Sequence, residues 1–230
     1  MIEKVIQVGQ RDIRIINQEF LEAIEAGYSV VVTDTLSRHN LGVGLPRSGK
    51  IHFDGSVGYY CGGLNTGTDV RVENNAGWGT GEAMSGGTIT VNGYSGMSTG
   101  AAMLGGLIHV KGDCGPRCGV AMKAGEIVVE GKLGYQAGFM AHRGRIIALD
   151  GAGPSCGDAL WEAEVWVAGD IESLGVDAKI VEPEAEEVEG VDAMLKQIGI
   201  EERFRDWQKI VSEQKLWYFE SRDANSWLMI

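Results

Sequence analysis

Residues 89–107 read ITVNGYSGMSTGAAMLGGL, and the next 19 residues, 108–126, read IHVKGDCGPRCGVAMKAGE. The two stretches share a β-branched first residue, an apolar third residue, and glycines at the fifth, eighth, twelfth and eighteenth positions. The same pattern continues in register from residue 51 to about residue 178. A fixed period near 20 residues that combines short β-branched segments with glycine-rich turns is typical of a solenoid.

Position 1 of each unit is Ile or Val seven times, in steps of 19 residues. These residues are Ile51, Val70, Ile89, Ile108, Ile127, Ile146 and Val165. Parallel strands about 4.8 Å apart would place each of them on its equivalent in the next coil. The ladder therefore predicts a mainly β protein, a parallel β-helix with 19-residue coils over residues 51–178. We expect a right-handed helix from the usual chirality of parallel crossovers.

Glycine fills positions 8 and 12 in six successive units. These structural glycines are Gly58, Gly62, Gly77, Gly81, Gly96, Gly100, Gly115, Gly119, Gly134, Gly138, Gly153 and Gly157. At both positions we expect either a backbone conformation that only glycine reaches or coils too close for a Cβ. Position 5 holds only Gly, Asn or Asp, residues that tolerate a left-handed backbone, so it is predicted to be a turn with positive φ.

Positions 14 and 15 predict a second apolar wall inside the helix. Position 15 includes Met84, Met103 and Met122, which we interpret as flexible core filling. Position 14 contains Leu64, Ala83, Ala102, Ala121, Met140 and Ala159. Three cysteines, Cys61, Cys118 and Cys156, share position 11 but lie two or three coils apart, too far for a disulfide. They are expected to be buried thiols.

The units also carry a family resemblance. Residues 93–100, GYSGMSTG, and 131–138, GKLGYQAG, repeat the pattern G-x-x-G-x-x-x-G. This pattern resembles the GXGXG domain at the C-terminal end of the large (alpha) subunit of glutamate synthase. It is most similar to the free-standing GXGXG subunits of split, glutamate-synthase-like complexes, including N-methylglutamate synthase. Residues 57–63, 105–112, 117–123 and 171–175 support the resemblance, which covers roughly residues 15–180.

The resemblance implies a non-catalytic structural subunit of a flavoenzyme complex. The implied partners are a flavin-binding subunit with an iron–sulfur cluster and a glutamine amidotransferase-like subunit. FMN and the cluster would lie on a partner, with no cofactor in this chain. The complex would make glutamate, or N-methylglutamate and ammonia from methylamine and glutamate. Two alternatives stay open: the GXGXG-bearing subunit of formylmethanofuran dehydrogenase, which shares the motif, and an independent carbohydrate-active β-helix using Asp54 and Glu73.

Composition limits the partners and the compartment. The chain has 230 residues and a formal net charge of −12, which argues against a nucleic-acid partner. It lacks an apolar run long enough to span a membrane, and its first residues do not form a signal peptide. A cytoplasmic protein with no membrane partner is therefore expected.

Candidate catalytic groups are sparse in the sequence. His52 and His109 are three coils apart and cannot share a metal. Arg143 and Arg145 flank a turn and could hold an anion. The sequence contains no recognised catalytic motif or metal-binding motif, so no catalytic and no metal-binding residue is assigned.

Residues 1–50 are predicted to form an α/β cap. We expect short strands at 4–8 and 12–16, a helix over 18–26 with Asn17 as its N-cap, a buried strand at 29–33, and then a loop. After the solenoid, residues 179–190 are glutamate-rich and are predicted to be a flexible linker. Two C-terminal helices are predicted, over 191–198 and 201–215.

Apolar residues on the outside of the last three coils need a cover. Val128, Ile147 and Trp166 share position 2, and the helix over 201–215 is expected to pack on them. The remaining tail is rich in aromatic and aliphatic residues and is expected to bind a partner subunit, the alternative being that it folds back on its own solenoid. The predicted docking residues are Trp217, Phe219, Trp227, Leu228 and Ile230.

Overall fold

The computed structural model describes residues 2–201 and 205–214. Within these ranges the strands are β1 (Glu3–Gln7), β2 (Ser29–Thr33), β3 (Lys50–Phe53), β4 (Thr66–Val72), β5 (Gly86–Val91), β6 (Leu104–Val110), β7 (Ala124–Val129), β8 (Lys132–Leu133), β9 (Arg145–Ala148), β10 (Gly151–Ala152), β11 (Glu164–Val167), β12 (Asp170–Ile171), β13 (Ala178–Val181) and β14 (Gln208–Ser212). The helices are α1 (Ile13–Glu25) and α2 (Ala185–Gln197).

The predicted parallel β-helix is confirmed, with about eight turns. Eleven strands form one sheet in the order β1-β2-β3-β4-β5-β6-β7-β9-β11-β14-β13, and β12, β10 and β8 form a second, smaller sheet. From β3 to β11 each position 1 residue pairs directly with the next, as Ile51 does with Val70 and Ile89 with Ile108. The strands β1 and β2 extend the same sheet, so the segment before residue 51 supplies part of the solenoid.

The core repeats every four residues along each coil. Positions 3, 7, 11 and 15 are buried in six successive units, and position 1 joins them from the same strand as position 3. The position 15 methionines are all fully buried, which confirms their role as core filling. Each fully buried aliphatic side chain stabilises the fold by about 1.5–3 kcal/mol relative to exposure.

The prediction that position 14 belongs to the inner wall is wrong. Its six residues form an outer corner, where Leu64 is 56% and Met140 is 44% exposed. Because position 15 points inward, its neighbour must turn outward at the bend. All six residues adopt the left-handed conformation, with φ between 51° and 56°; they are Leu64, Ala83, Ala102, Ala121, Met140 and Ala159.

The structural glycines have two different physical causes. At position 12 the backbone is left-handed, and a Cβ on Gly100 would lie 2.4 Å from the Cδ1 atom of Ile127 in the core. Position 8 lacks this conformation, but a Cβ on Gly96 would lie 2.8 Å from the carbonyl carbon of Gly77 in the preceding coil. Lack of space for a Cβ therefore applies at both positions, and the left-handed backbone applies only at position 12.

The predicted positive φ at position 5 is wrong for every unit except the first, where Gly55 has φ 144°. Space is the constraint instead, because a Cβ on Gly93 would lie 2.1 Å from Asn75 Oδ1. That oxygen accepts a hydrogen bond from the backbone N–H of Tyr94, at 3.1 Å. At Gly93 a side chain that bridges adjacent coils thus leaves no room for a Cβ.

The N-terminal helix begins earlier than expected. Residues 12–16 are not a strand, because Asp12 caps α1 by accepting a hydrogen bond from the N–H of Arg14 at 2.7 Å. Asn17 lies inside the helix, and its amide oxygen accepts a 2.8 Å hydrogen bond from the N–H of Gly42. The strand at 29–33 is confirmed as β2.

The predicted acidic linker over 179–190 is wrong. Residues 178–181 form β13, and α2 begins at Ala185. Glu184 and Glu187 form a reciprocal capping box, and acidic residues in the first helical turn interact favourably with the helix dipole. The glutamates therefore start a helix that includes residues 191–197, so the helix predicted over 191–198 exists but begins six residues earlier, at Ala185.

The predicted helix over 201–215 is also wrong where the structure describes it. Residues 208–212 are β14, an antiparallel strand inserted between β11 and β13. Ile210 pairs with Val165 and is fully buried, so it extends the position 1 ladder by one more strand. Pairing with two free strand edges outweighs the helical spacing of its apolar residues.

The outer apolar stripe is covered, but by α2 and the segment before β14. Val128, Ile147 and Trp166 form one buried cluster with the apolar face of α2 and with Trp207. The rings of Trp166 and Trp207 meet edge to face, with centroids 6.1 Å apart. The other members of the cluster from α2 are Val191, Met194 and Leu195.

Candidate interaction surface

Three aromatic rings stack along the outside of the first coils. The ring centroids of His39 and Tyr59 are 4.2 Å apart, and those of Tyr59 and Trp78 are 4.8 Å apart, with the Tyr59 and Trp78 planes within 8°. Tyr59 is 36% and Trp78 is 49% exposed. The stack follows the solenoid axis because Tyr59 and Trp78 share position 9 of adjacent coils.

Position 8 glycines provide the floor for these rings. A Cβ on Gly77 would lie 2.9 Å from Tyr59 Cδ1, and one on Gly96 would lie 2.7 Å from Trp78 Cδ1. Each ring therefore occupies the space that a side chain at position 8 of the next coil would need. The backbone N–H of Tyr59 also donates a 2.9 Å hydrogen bond to His39 Nδ1, which fixes the first ring of the stack.

Beside the stack, Tyr60 leans over Gly79. A Cβ on Gly79 would lie 3.2 Å from Tyr60 Cδ1 and 3.0 Å from a carboxylate oxygen of Glu82. Tyr60 is 46% exposed, and the backbone N–H of Tyr60 donates a 2.8 Å hydrogen bond to the carbonyl of Trp78. We refer to Tyr59, Tyr60, Trp78 and Glu82 as the aromatic patch.

The large sheet has an open face at strands β2 to β5, which carries a polar depression of about 480 Å³. Its lining includes His52, Arg71 and Thr90. Glu73 contacts two of these residues, because its Oε2 atom lies 3.1 Å from His52 Nε2 and 3.2 Å from Arg71 Nε. Partial desolvation opposes ionisation, but the hydrogen bonds from Arg71 and His52 lower the pKa of Glu73. A glycosidase general acid needs a raised pKa, so this geometry does not favour the carbohydrate-active alternative.

His109 occupies the same face three coils away and is nearly covered. Its Nε2 atom lies 2.8 Å from Glu130, and burial lowers the pKa of His109 even though this contact raises it. The structure does not favour an anion at Arg143 and Arg145, because Arg143 pairs with Glu162 at 2.9 Å and Arg145 pairs with Glu126. Each arginine thus forms an ion pair with a glutamate of an adjacent coil.

The cysteines are free and buried, as expected. Burial raises the pKa of Cys61 and of Cys156 to about 12. A hydrogen bond with Cys114, together with burial, raises the pKa of Cys118 well above its ordinary value. Because the thiolate is the reactive form, these thiols are poor nucleophiles at neutral pH.

The structure brings two sets of sequence-selected residues together and leaves one set outside its range. The glycines at position 12 lie against core side chains, and Gly77 and Gly96 at position 8 lie next to the stacked rings. The outer apolar residues of the last coils pack on α2. The predicted docking residues Trp217, Phe219, Trp227, Leu228 and Ile230 lie outside the described residues. The aromatic patch is missing from the sequence predictions, although the spacing of 19 residues between Tyr59 and Trp78 is a usable signal.

Comparison with known proteins does not assign this chain to a family. No family model matches the sequence. A search of curated proteins also finds no match. In residues 2–201 and 205–214 there is no group of three or more His, Cys, Asp or Glu side chains placed to hold a metal ion. Neither α1 nor α2 is long and apolar enough to cross a membrane.

Proposed function

We propose that the chain is a non-catalytic structural subunit of a glutamate-synthase-like flavoenzyme complex. In the first place this would be N-methylglutamate synthase, which joins methylamine to glutamate and releases ammonia; glutamate synthase is the second form of the proposal. The partners are a flavin and iron–sulfur subunit and a glutamine amidotransferase-like subunit, in the cytoplasm. FMN and the cluster belong to the partner.

The observation that carries the proposal is the aromatic patch on a rigid solenoid. Exposed Tyr and Trp side chains that cannot move are efficient contact residues, because little conformational entropy is lost when they bind. Here the rings of Tyr59 and Trp78 stack on each other and lie close to glycine backbone, so this part of the surface is formed without a partner. A scaffold subunit needs such preformed contact surfaces.

The electrostatics of the open sheet face support a scaffold role over a hydrolytic one. His52 and Arg71 both contact Glu73, and the glutamate at the fourth position of coil 5 contacts His109. The two glutamates on this face are thus held by neighbouring side chains, His52 and Arg71 at Glu73 and His109 at Glu130. The glycine pattern adds the resemblance to GXGXG subunits, which brace the other subunits of their complexes.

The experiment is purification of the affinity-tagged full chain from its native cells. We expect a yellow complex with FMN, an iron–sulfur cluster and two further subunits. It should form N-methylglutamate only when both methylamine and glutamate are supplied, or glutamate from glutamine and 2-oxoglutarate. Mass spectrometry identifies the subunits and absorbance quantifies the flavin.

The matched control is the same tagged chain purified alone from a heterologous host. It should be colourless and without turnover in either assay. A stoichiometric flavin on the isolated chain contradicts the proposal. A native complex that lacks flavin, or that contains methanofuran-linked enzymes instead, also contradicts it.

A further inference from the structure

The aromatic patch is an apolar surface with an unbalanced negative charge. Glu82 is half-buried, and in the described part of the chain its carboxylate makes no ion pair. Asp158 holds the same position in coil 6, but its oxygens accept hydrogen bonds from Gln136 at 2.7 Å and from the N–H of Val176 at 3.1 Å. Among the described residues, Glu82 therefore differs from its counterpart in having no cationic or donor side chain of its own.

The segments that form this face of the first three coils carry no positive charge. Residues 59–63, 78–82 and 97–101 read YYCGG, WGTGE and MSTGA, and they contain neither Lys nor Arg. A partly desolvated carboxylate beside aromatic rings favours a cation that comes from outside. The net charge of −12 also draws basic partners towards the chain.

The shape of the patch selects among cations. The Tyr60 ring and the Glu82 carboxylate both approach Gly79, so they are close enough for one cationic group to contact both. A guanidinium suits both groups, because it stacks on aromatic faces and donates two parallel hydrogen bonds to a carboxylate. An ammonium forms a single contact point and lacks the planar face.

The apolar surroundings indicate more than a lone side chain. Tyr59, Tyr60 and Trp78 are between 36% and 49% exposed. Three half-exposed aromatic side chains offer roughly 200–400 Å² of surface, which is comparable to the largest apolar patch of an ordinary monomer. The occupant should therefore present apolar side chains around its cation.

We propose that the aromatic patch is a docking site for an arginine that a partner subunit presents within an apolar segment. The guanidinium pairs with Glu82 and lies on the Tyr60 ring, while the flanking apolar side chains contact Tyr59 and Trp78. This deepens the scaffold role and rests on the proposed function only for the statement that the occupant belongs to another subunit.

The test is an NMR titration of the full chain that follows the indole N–H of Trp78. The probes are acetyl-Leu-Arg-Leu-amide and the same tripeptide with citrulline, which keeps the shape of arginine without its charge. We expect the arginine tripeptide to bind at least tenfold more tightly than the citrulline tripeptide. Equal affinity for the two probes overturns the proposal, as does binding of cellotetraose in the absence of peptide binding.

Variants assign the site. Glu82→Gln should weaken the arginine tripeptide about tenfold and leave the citrulline tripeptide unchanged. Tyr60→Ser should weaken it severalfold, and serine already occupies this left-handed position at Ser98 and Ser155. The control is Tyr135→Ser, which removes a 46% exposed tyrosine at the position of Tyr59 in coil 5 and should change nothing. Unchanged binding in Glu82→Gln overturns the assignment.

The peptide titration uses no partner, so its outcome separates this inference from the proposed function. Arginine binding in a chain that never recovers a flavin subunit overturns the proposed function alone. A flavin-containing complex that is recovered equally with wild-type and Glu82→Gln chains, without arginine selectivity in the titration, overturns the docking inference alone.

Discussion

The ring of Tyr59 lies 4.8 Å from the ring of Trp78, and the two planes are within 8° of parallel. The stack exists because the next coil offers a glycine, Gly77 under Tyr59 and Gly96 under Trp78, where a side chain would fill the space. The glycine repeat and the aromatic surface are therefore one construction. A change in the repeat should disturb both the fold and the patch.

Gly96→Val should destabilise the solenoid by at least about 3 kcal/mol, because its side chain would overlap backbone that cannot move without separating two coils. The ideal Cβ lies 2.8 Å from the carbonyl carbon of Gly77 and 2.7 Å from Trp78 Cδ1. Guanidinium unfolding followed by circular dichroism measures the loss.

A matched control for this variant is Gly190→Ala in α2. A Cβ there meets nothing within 4 Å, and alanine is a better helix former by about 0.5–1 kcal/mol. This variant should be slightly more stable than the wild type. A Gly96→Val protein that unfolds at the wild-type midpoint would show that the coils are not packed as described.

Lys209→Met should loosen the contact of α2 with the sheet. The Lys209 ammonium lies 2.7 Å from Glu164 on β11 and contacts Glu187 on α2. Burial lowers the pKa of Lys209, but the two carboxylates raise it further, and the contact with Lys209 lowers the pKa of Glu187. Since both carboxylates are partly exposed, we expect a loss of about 1–3 kcal/mol at pH 7.

The pH dependence of this loss follows from the signs of the shifts. The Glu187 contribution is present above its unfolded pKa, near 4.3, and disappears as the pH falls through its lower folded value. The Lys209 contribution is complete below about pH 10.4, so it does not vary in this range. The difference between wild type and Lys209→Met should shrink from pH 7 to pH 3, and Lys179→Met, at an exposed lysine on β13, serves as control. A constant difference would contradict the bridge.

Trp166→Ala should cost about 3–5 kcal/mol, the usual loss for a large buried aromatic side chain. Trp166 is 1% exposed and packs edge to face on Trp207 beneath α2. Trp161→Ala is the comparison, because Trp161 is 39% exposed and stacks on His142 at the surface. It should cost less than about 1 kcal/mol. Urea titrations of both variants decide, and equal losses would mean that α2 does not cover the stripe.

The solenoid could be predicted because its information is local and repeated. Ile89 pairs with Ile108 in the register that a 19-residue period requires, and this register continues from Ile51 to Val165. The burial of positions 1, 3 and 15 follows from the same count. The constraint at position 5 could not be predicted, because the atom that restricts it, such as Asn75 Oδ1 at Gly93, comes from the adjacent coil.

The C-terminal elements show where local pattern fails. Ile210 has a β-branched side chain but also fits the helical spacing of its apolar neighbours. It lies in a strand because the edges of β11 and β13 both offer backbone partners. The start of α2 is readable, since Glu184 and Glu187 have the spacing of a capping box, but their charge is equally typical of a linker. In the candidate site, the equal spacing of Tyr59 and Trp78 is visible in the sequence, whereas the approach of Glu82 to Gly79 requires the fold.

The last prediction concerns residues 216–230, which lie outside the described residues. Their sequence contains Trp217, Phe219, Trp227, Leu228 and Ile230, and aromatic side chains of this kind are frequent hot spots at subunit interfaces. We predict that a chain ending at Lys215 folds with a wild-type melting curve and no longer assembles with the flavin subunit. Size-exclusion chromatography of the tagged, truncated chain from native cells measures assembly, and differential scanning calorimetry measures folding. Normal assembly would rule out docking by the tail, and a chain that cannot fold would favour the alternative that the tail packs on its own solenoid.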